Sequence, residues 1–222
     1  MIWLSLAIAC MLTDWVALWK GRPSINYVSK PLTLLFLLIW FIAATAPGQV
    51  RSAFALGLFF SLVGDGFLLL PPRYFIFGLA AFLLAHLSYV AGFAVGISMP
   101  PALFWAFAGL VGAILFKVVR QLVRAAGRNP NHRKMVPAIT VYAAAISVML
   151  LMGTGTLFRP AWDAEAAVLA ACGALLFTFS DLYLAFDRFV EPIPGARLMV
   201  RITYHLGQLA LAAGIILYSR LA

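Results

Sequence analysis

Eight stretches of the chain are each long and apolar enough to cross a lipid bilayer, and short breaks carrying Pro, Gly or basic residues separate them. A bilayer core is ~30 Å thick and needs about 20 largely apolar residues of helix to span it. Windows of that kind fall at residues 1–19, 31–46, 51–70, 74–97, 101–119, 135–152, 164–186 and 197–219. Only helices and closed barrels satisfy their own backbone inside lipid, and a barrel would show short strands of alternating polarity. These runs are continuous instead, with Pro31, Pro47-Gly48, Pro71-Pro72, Pro100-Pro101, Pro160 and Pro192-Ile193-Pro194-Gly195 read as the breaks. At 64% hydrophobic and 10% charged residues, the chain also lacks the polar surface that a water-soluble globule of 222 residues would need. The expected fold class is an all-α membrane protein, with eight transmembrane helices in one bundle and a single integral membrane domain over residues 1–222.

The loops are short, so their Lys and Arg residues report orientation. Of the 16 basic residues, only Arg51, Arg159 and Arg220 lie on the face of the even-numbered loops and the termini; all others lie in loops 1, 3, 5 and 7. This asymmetry predicts cytoplasmic odd loops and two non-cytoplasmic termini, in a bacterial inner membrane. Orientation and attraction to anionic membrane lipid account for the net charge of +9, and no nucleic-acid partner is expected. Residues 1–12 are as apolar as a signal peptide core. No basic segment precedes them and Asp14 follows closely, so they read as an uncleaved first span. Cys10 and Cys172 fall inside spans, where their default role is small apolar packing.

Within this apolar background Asp65 and Asp181 stand out, in runs 52–70 and 164–186 that hold no neighbouring charge. A carboxylate in hydrocarbon costs several kcal/mol unless it faces a cavity or a partner, so both side chains are expected to point inward. Each lies six residues before its helix end, at Pro71 and Asp187, or ~9 Å inside the membrane at ~1.5 Å per residue. Tyr142 and Tyr204 reach a similar depth from helices running the opposite way, while His86 lies deeper. Lys30 is placed at the start of the second helix, and Asp14 is expected to pair with Lys20 or Lys30. On the last helix Arg197, Arg201, Tyr204, Gln208 and Leu211 form one stripe, leading from a cationic mouth to a phenol and an amide. The polar groups thus predict one cavity opening on the cytoplasmic side. A faint internal repeat, Gly64-Asp65-Gly66-Phe67-Leu68 against Ser180-Asp181-Leu182-Tyr183-Leu184, suggests two four-helix pseudo-repeats with the carboxylates facing each other.

At these residues the chain resembles the YhhN-like lysoplasmalogenase family of polytopic membrane hydrolases. The matching pieces are Tyr27-Val28-Ser29-Lys30-Pro31-Leu32; Phe60-Ser61-Leu62-Val63-Gly64-Asp65; the segment from Phe77 through His86 to Tyr89; the segment from Gly173 to Asp181; and Tyr204 with Gln208. The resemblance implies an eight-helix ether hydrolase. Its reaction would cleave the vinyl ether bond of a lysoplasmalogen, releasing a fatty aldehyde and glycerophosphoethanolamine or glycerophosphocholine.

Such a bond is hydrolysed by protonating its β-carbon, after which water captures the oxocarbenium ion and the hemiacetal collapses. A pair of carboxyl groups suits this chemistry, one neutral to donate the proton and the other ionised to stabilise the cation and activate water. Asp65 and Asp181 are the candidates, and either can fill either role. Lys30, Arg197 and Arg201 are expected to hold the lysophospholipid phosphate. His86, Tyr142, Tyr204 and Gln208 are expected to orient water or the leaving oxygen, with His86 grouped among the catalytic residues. No metal or cofactor is required. Each assignment has a plainer rival: interhelical hydrogen bonds for the buried polar groups, snorkelling and orientation for the cations. Buried carboxylates and His86 also suit a proton-coupled transporter. Asp65, His86, Asp181 and His205 would be the ligands of a metal-dependent lipid hydrolase.

Overall fold

A computed structural model of the protein describes residues 2–97 and 101–221. Met1 and Pro100, the expected start of the first span and one of the expected breaks, lie outside the described residues. Eight helices carry the fold: α1 (Ile2–Trp19), α2 (Pro23–Ala44), α3 (Gln49–Leu69), α4 (Phe75–Ala94), α5 (Ala102–Arg128), α6 (Val136–Gly155), α7 (Ala164–Phe189) and α8 (Ala196–Leu221). All eight are long and apolar enough to cross a membrane, and no strand occurs among the described residues. Large apolar side chains cover the outside as well: Leu103, Trp105, Leu110, Ile114 and Phe116 on α5 are all exposed. Lipid solvates such a surface and water does not. The protein is therefore an all-α, multi-pass integral membrane protein.

Two helices run further than their apolar stretches. Pro31 does not open α2 but lies inside it, and the helix begins at Pro23 in its first turn, where a missing N–H costs nothing. Residues 23–30 precede the continuous apolar run yet are helical, with Asn26, Ser29 and Lys30 buried against neighbouring helices. Likewise the basic residues expected in loop 5 lie largely on α5. There Lys117, Arg120, Arg124 and Arg128 form an exposed stripe opposite the buried Leu115, Leu122 and Ala126. Asp163 caps α7, accepting the Glu165 N–H at 3.0 Å.

The closest packing pairs α7 with α8, α3 with α4 and α1 with α2. α8 also reaches α1, α2 and α3, and α6 bridges α4 and α7, whereas α5 lies at the edge against α6 and α7. α7 and α8 approach nearly backbone to backbone. A Cβ on Gly173 would lie 2.6 Å from the Leu211 nitrogen, and one on Gly207 would lie 2.9 Å from the Phe177 nitrogen. Small residues permit this approach in a membrane, where close van der Waals contact takes over the role water plays outside it. The contact fixes Asp181 and Tyr204, each on the same helix as one of these glycines, relative to one another.

Candidate active site

Asp65 ends up buried between α2 and α8, with both oxygens engaged. Lys30 Nζ is 2.8 Å from Oδ1, and the Tyr204 hydroxyl donates to Oδ2 at 3.0 Å. The apolar pattern predicts Lys30 at the cavity rim, but α2 starts two turns earlier than its apolar run. The side chain is consequently 4% exposed and reaches the carboxylate rather than the mouth. Two opposite charges buried together neutralise each other, whereas either alone would be strongly unfavourable.

Asp181 has no cationic Lys or Arg partner among the described residues. The Tyr142 hydroxyl donates to its Oδ2 at 2.5 Å, and His86 Nε2 lies 2.9 Å from the same oxygen and 3.1 Å from the Tyr142 oxygen. His86 Nδ1 is buried without a hydrogen-bond partner among the described residues, so Nε2 is the ring nitrogen through which His86 meets Asp181. Asp181 Oδ1 has no hydrogen-bond partner among the described residues. The side chain of His86 is fully buried, so it touches the carboxylate from behind and is absent from the cavity lining.

The two aspartates line one cavity of about 670 Å³. It lies at the end of the bundle where α1, α3 and α7 finish and α2, α4 and α8 begin, which is the end carrying the odd-numbered loops. Tyr204 and Lys30 line it with them, and Arg188, Arg197 and Arg201 supply positive charge toward its mouth. Arg188 stacks 3.7 Å from the Phe75 ring centroid. Arg197 is exposed and forms no ion pair with an acidic side chain among the described residues.

Arg201 is held from below by a residue outside the expected site. Asp14 is fully buried and pairs with Arg201 Nη1 at 3.1 Å, not with Lys20 or Lys30. Its Oδ1 accepts from Asn26 Nδ2 at 2.7 Å and from Ser29 Oγ at 2.9 Å. The sequence does carry a signal for this cluster, because Asn26, Ser29 and Lys30 share one side of a helix once residues 23–30 are read as helical. Gln208 follows the expected stripe but passes beneath the cavity. It donates to Ser61 Oγ at 2.9 Å and accepts from the Tyr89 hydroxyl at 2.6 Å, outside the lining. The four candidate metal ligands are not assembled: Lys30 occupies Asp65, and Trp15 Nε1 donates to His205 Nδ1 at 3.1 Å. No group of three or more His, Cys, Asp and Glu residues converges among the described residues.

Known proteins are similar to this chain in sequence. The model of the YhhN family matches residues 25–215. Lysoplasmalogenase TMEM86B of Sus scrofa is 30% identical over 198 residues, which cover 87% of this chain and 77% of the relative. Lysoplasmalogenase TMEM86B of Homo sapiens is 31% identical over 212 residues, covering 93% and 83%. The uncharacterized membrane protein YhhN of Escherichia coli O157:H7 is 28% identical over 190 residues, covering 83% and 85%. No solved structure matches. With the family model matching most of the chain and relatives about 30% identical aligning over most of their own length, the chain belongs to the YhhN family.

Proposed function

We propose that the protein is a lysoplasmalogenase, hydrolysing the vinyl ether of a lysophospholipid to a fatty aldehyde and a glycerophospho alcohol. The observation that carries this reading is the unequal pair of carboxyls on one cavity: Asp65 neutralised by Lys30 through one oxygen and bonded by Tyr204 through the other, Asp181 with Oδ1 unbonded among the described residues. That inequality divides the roles. Asp181, which has no Lys or Arg partner among the described residues, is the proton donor through Oδ1, and Asp65 is the carboxylate that faces the developing cation. The Asp181 proton passes to the vinyl β-carbon, and the electron pair of the ether oxygen completes the oxocarbenium ion. Water adds to the α-carbon and gives up a proton to the carboxylate pair. The hemiacetal then transfers its hydroxyl proton to the glycerol oxygen as that bond breaks. His86 and Tyr142 position Asp181 by bonding to its other oxygen, and the Tyr204 hydroxyl is placed to orient water.

Arg197 and Arg201 at the mouth take the phosphate, and Lys30 acts through Asp65 instead. The Arg197→Ala variant is accordingly expected to raise KM about tenfold with kcat nearly unchanged, as loss of a charge-assisted contact far from the reacting bond would do. A fall in kcat with KM unaltered would place Arg197 elsewhere in the reaction. The charge asymmetry of the loops supports cytoplasmic odd loops, non-cytoplasmic termini and an inner-membrane location. Cysteines introduced at Arg51 and Arg124 test this orientation, since only Arg51→Cys should react with an impermeant reagent from outside. The function itself is tested by aldehyde release from lysoplasmalogen beside the matching ester and saturated alkyl ether lysolipids. Release from the vinyl ether alone is expected; equal turnover of the ester would refute the assignment.

A further inference from the structure

A second, apolar hollow of about 50 Å³ adjoins the polar cavity. α4, α6 and α7 form its long walls, and Leu122 of α5 contributes from the edge. From Ile139 to Ile146 on α6, as from Phe75 to Phe82 on α4, the wall extends seven residues, or ~10 Å at ~1.5 Å per residue. Leu68, Phe75, Phe82, Asp181 and Leu184 line both hollows, so the two adjoin along these side chains, of which Asp181 is the polar one. Among the described residues lining the apolar hollow, the only other side chain with a polar atom is Tyr142, whose hydroxyl is already committed to Asp181.

We propose that this crevice receives the alkyl chain of the lysolipid, and that Ala143 and Ala185 set how much chain it admits. The proposal rests on the functional reading above and deepens it. A vinyl ether is the junction between a charged glycerophospho group and a hydrocarbon chain. The Asp181 carboxyl occupies the matching junction in the protein, with cationic side chains on one side and an apolar trough on the other. Continuity between the two hollows identifies the occupant, because an unrelated bilayer lipid in the crevice would have no reason to end at the catalytic carboxyl. Ala143 and Ala185 are the smallest residues in the lining, so a larger side chain at either one fills the trough without removing a polar contact.

The test compares kcat/KM for lysoplasmalogens of short and long alkyl chain in the intact, detergent-solubilised protein. Ala143→Phe is expected to lower the long-to-short ratio about tenfold, the scale on which an apolar pocket discriminates by size. Ala185→Phe, at a half-buried position, and Ile146→Ala, which adds no volume, cover the case in which Ala143→Phe does not fold. The first should shift the ratio the same way and the second toward longer chains. Aldehyde release with a chain-length ratio unchanged in all three variants overturns the crevice alone and leaves a bilayer lipid as its occupant. No aldehyde from the wild-type protein at any chain length overturns the functional reading, and the crevice assignment with it.

Discussion

Asp181→Asn is expected to lower aldehyde release by a factor of about 10²–10⁴, the range that general acid catalysis supplies, while the protein still folds and inserts. The amide has nearly the shape of the carboxyl. Its oxygen can still accept from Tyr142 and His86, so the contacts that position the side chain survive. What disappears is the proposed proton donor, because an amide N–H is not acidic enough to protonate a carbon. A merely structural Asp181 would give the opposite pattern, with melting temperature falling and turnover per folded molecule retained. His86→Ala should fall between these limits, because it removes one of two hydrogen bonds on Oδ2 and leaves Oδ1 intact. Thermal unfolding in detergent and turnover on the same preparations separate the cases.

The second large effect is expected at Lys30. Lys30→Met leaves the Asp65 carboxylate buried with only the Tyr204 hydroxyl, and breaking a buried ion pair from one side costs about 3–5 kcal/mol. A large loss of stability should accompany a large loss of kcat. Lys30→Met combined with Asp65→Asn removes both charges, and replacing a whole buried pair is often close to neutral. The double variant should therefore recover most of the lost stability and none of the activity. A lysine that only binds phosphate would give a raised KM, normal stability and no coupling to Asp65. The double-mutant cycle reads that coupling directly.

Eight spans are legible in the sequence because the demand for apolar length in lipid outweighs every local preference. Asp65 and Asp181 are legible for the same reason, as a charge inside such a run must find a partner or a cavity. Helix ends are less so: hydrophobicity marks where lipid ends, whereas residues 23–30 and 117–128 stay helical beyond their apolar runs through burial of one face. From that shift comes the misplacement of Lys30. It also hides Asn26 and Ser29, the true partners of Asp14 beside Arg201. Gln208 shows a different limit: a helical stripe fixes which residues share a face, and the neighbour that meets each turn decides whether the face opens on a cavity or on Ser61 and Tyr89.

Protonation of a vinyl ether by a carboxyl acid keeps the bond between carbon and the glycerol oxygen on the glycerol side. The most direct measurement is therefore the mass of the glycerophospho product formed by purified protein from lysoplasmalogen in H2 18O. The expected product carries no heavy oxygen, since water adds to the vinyl carbon and leaves with the aldehyde. Heavy oxygen in the glycerol product would mean attack at the glycerol carbon, and would contradict proton donation from Asp181 as the step that breaks the ether.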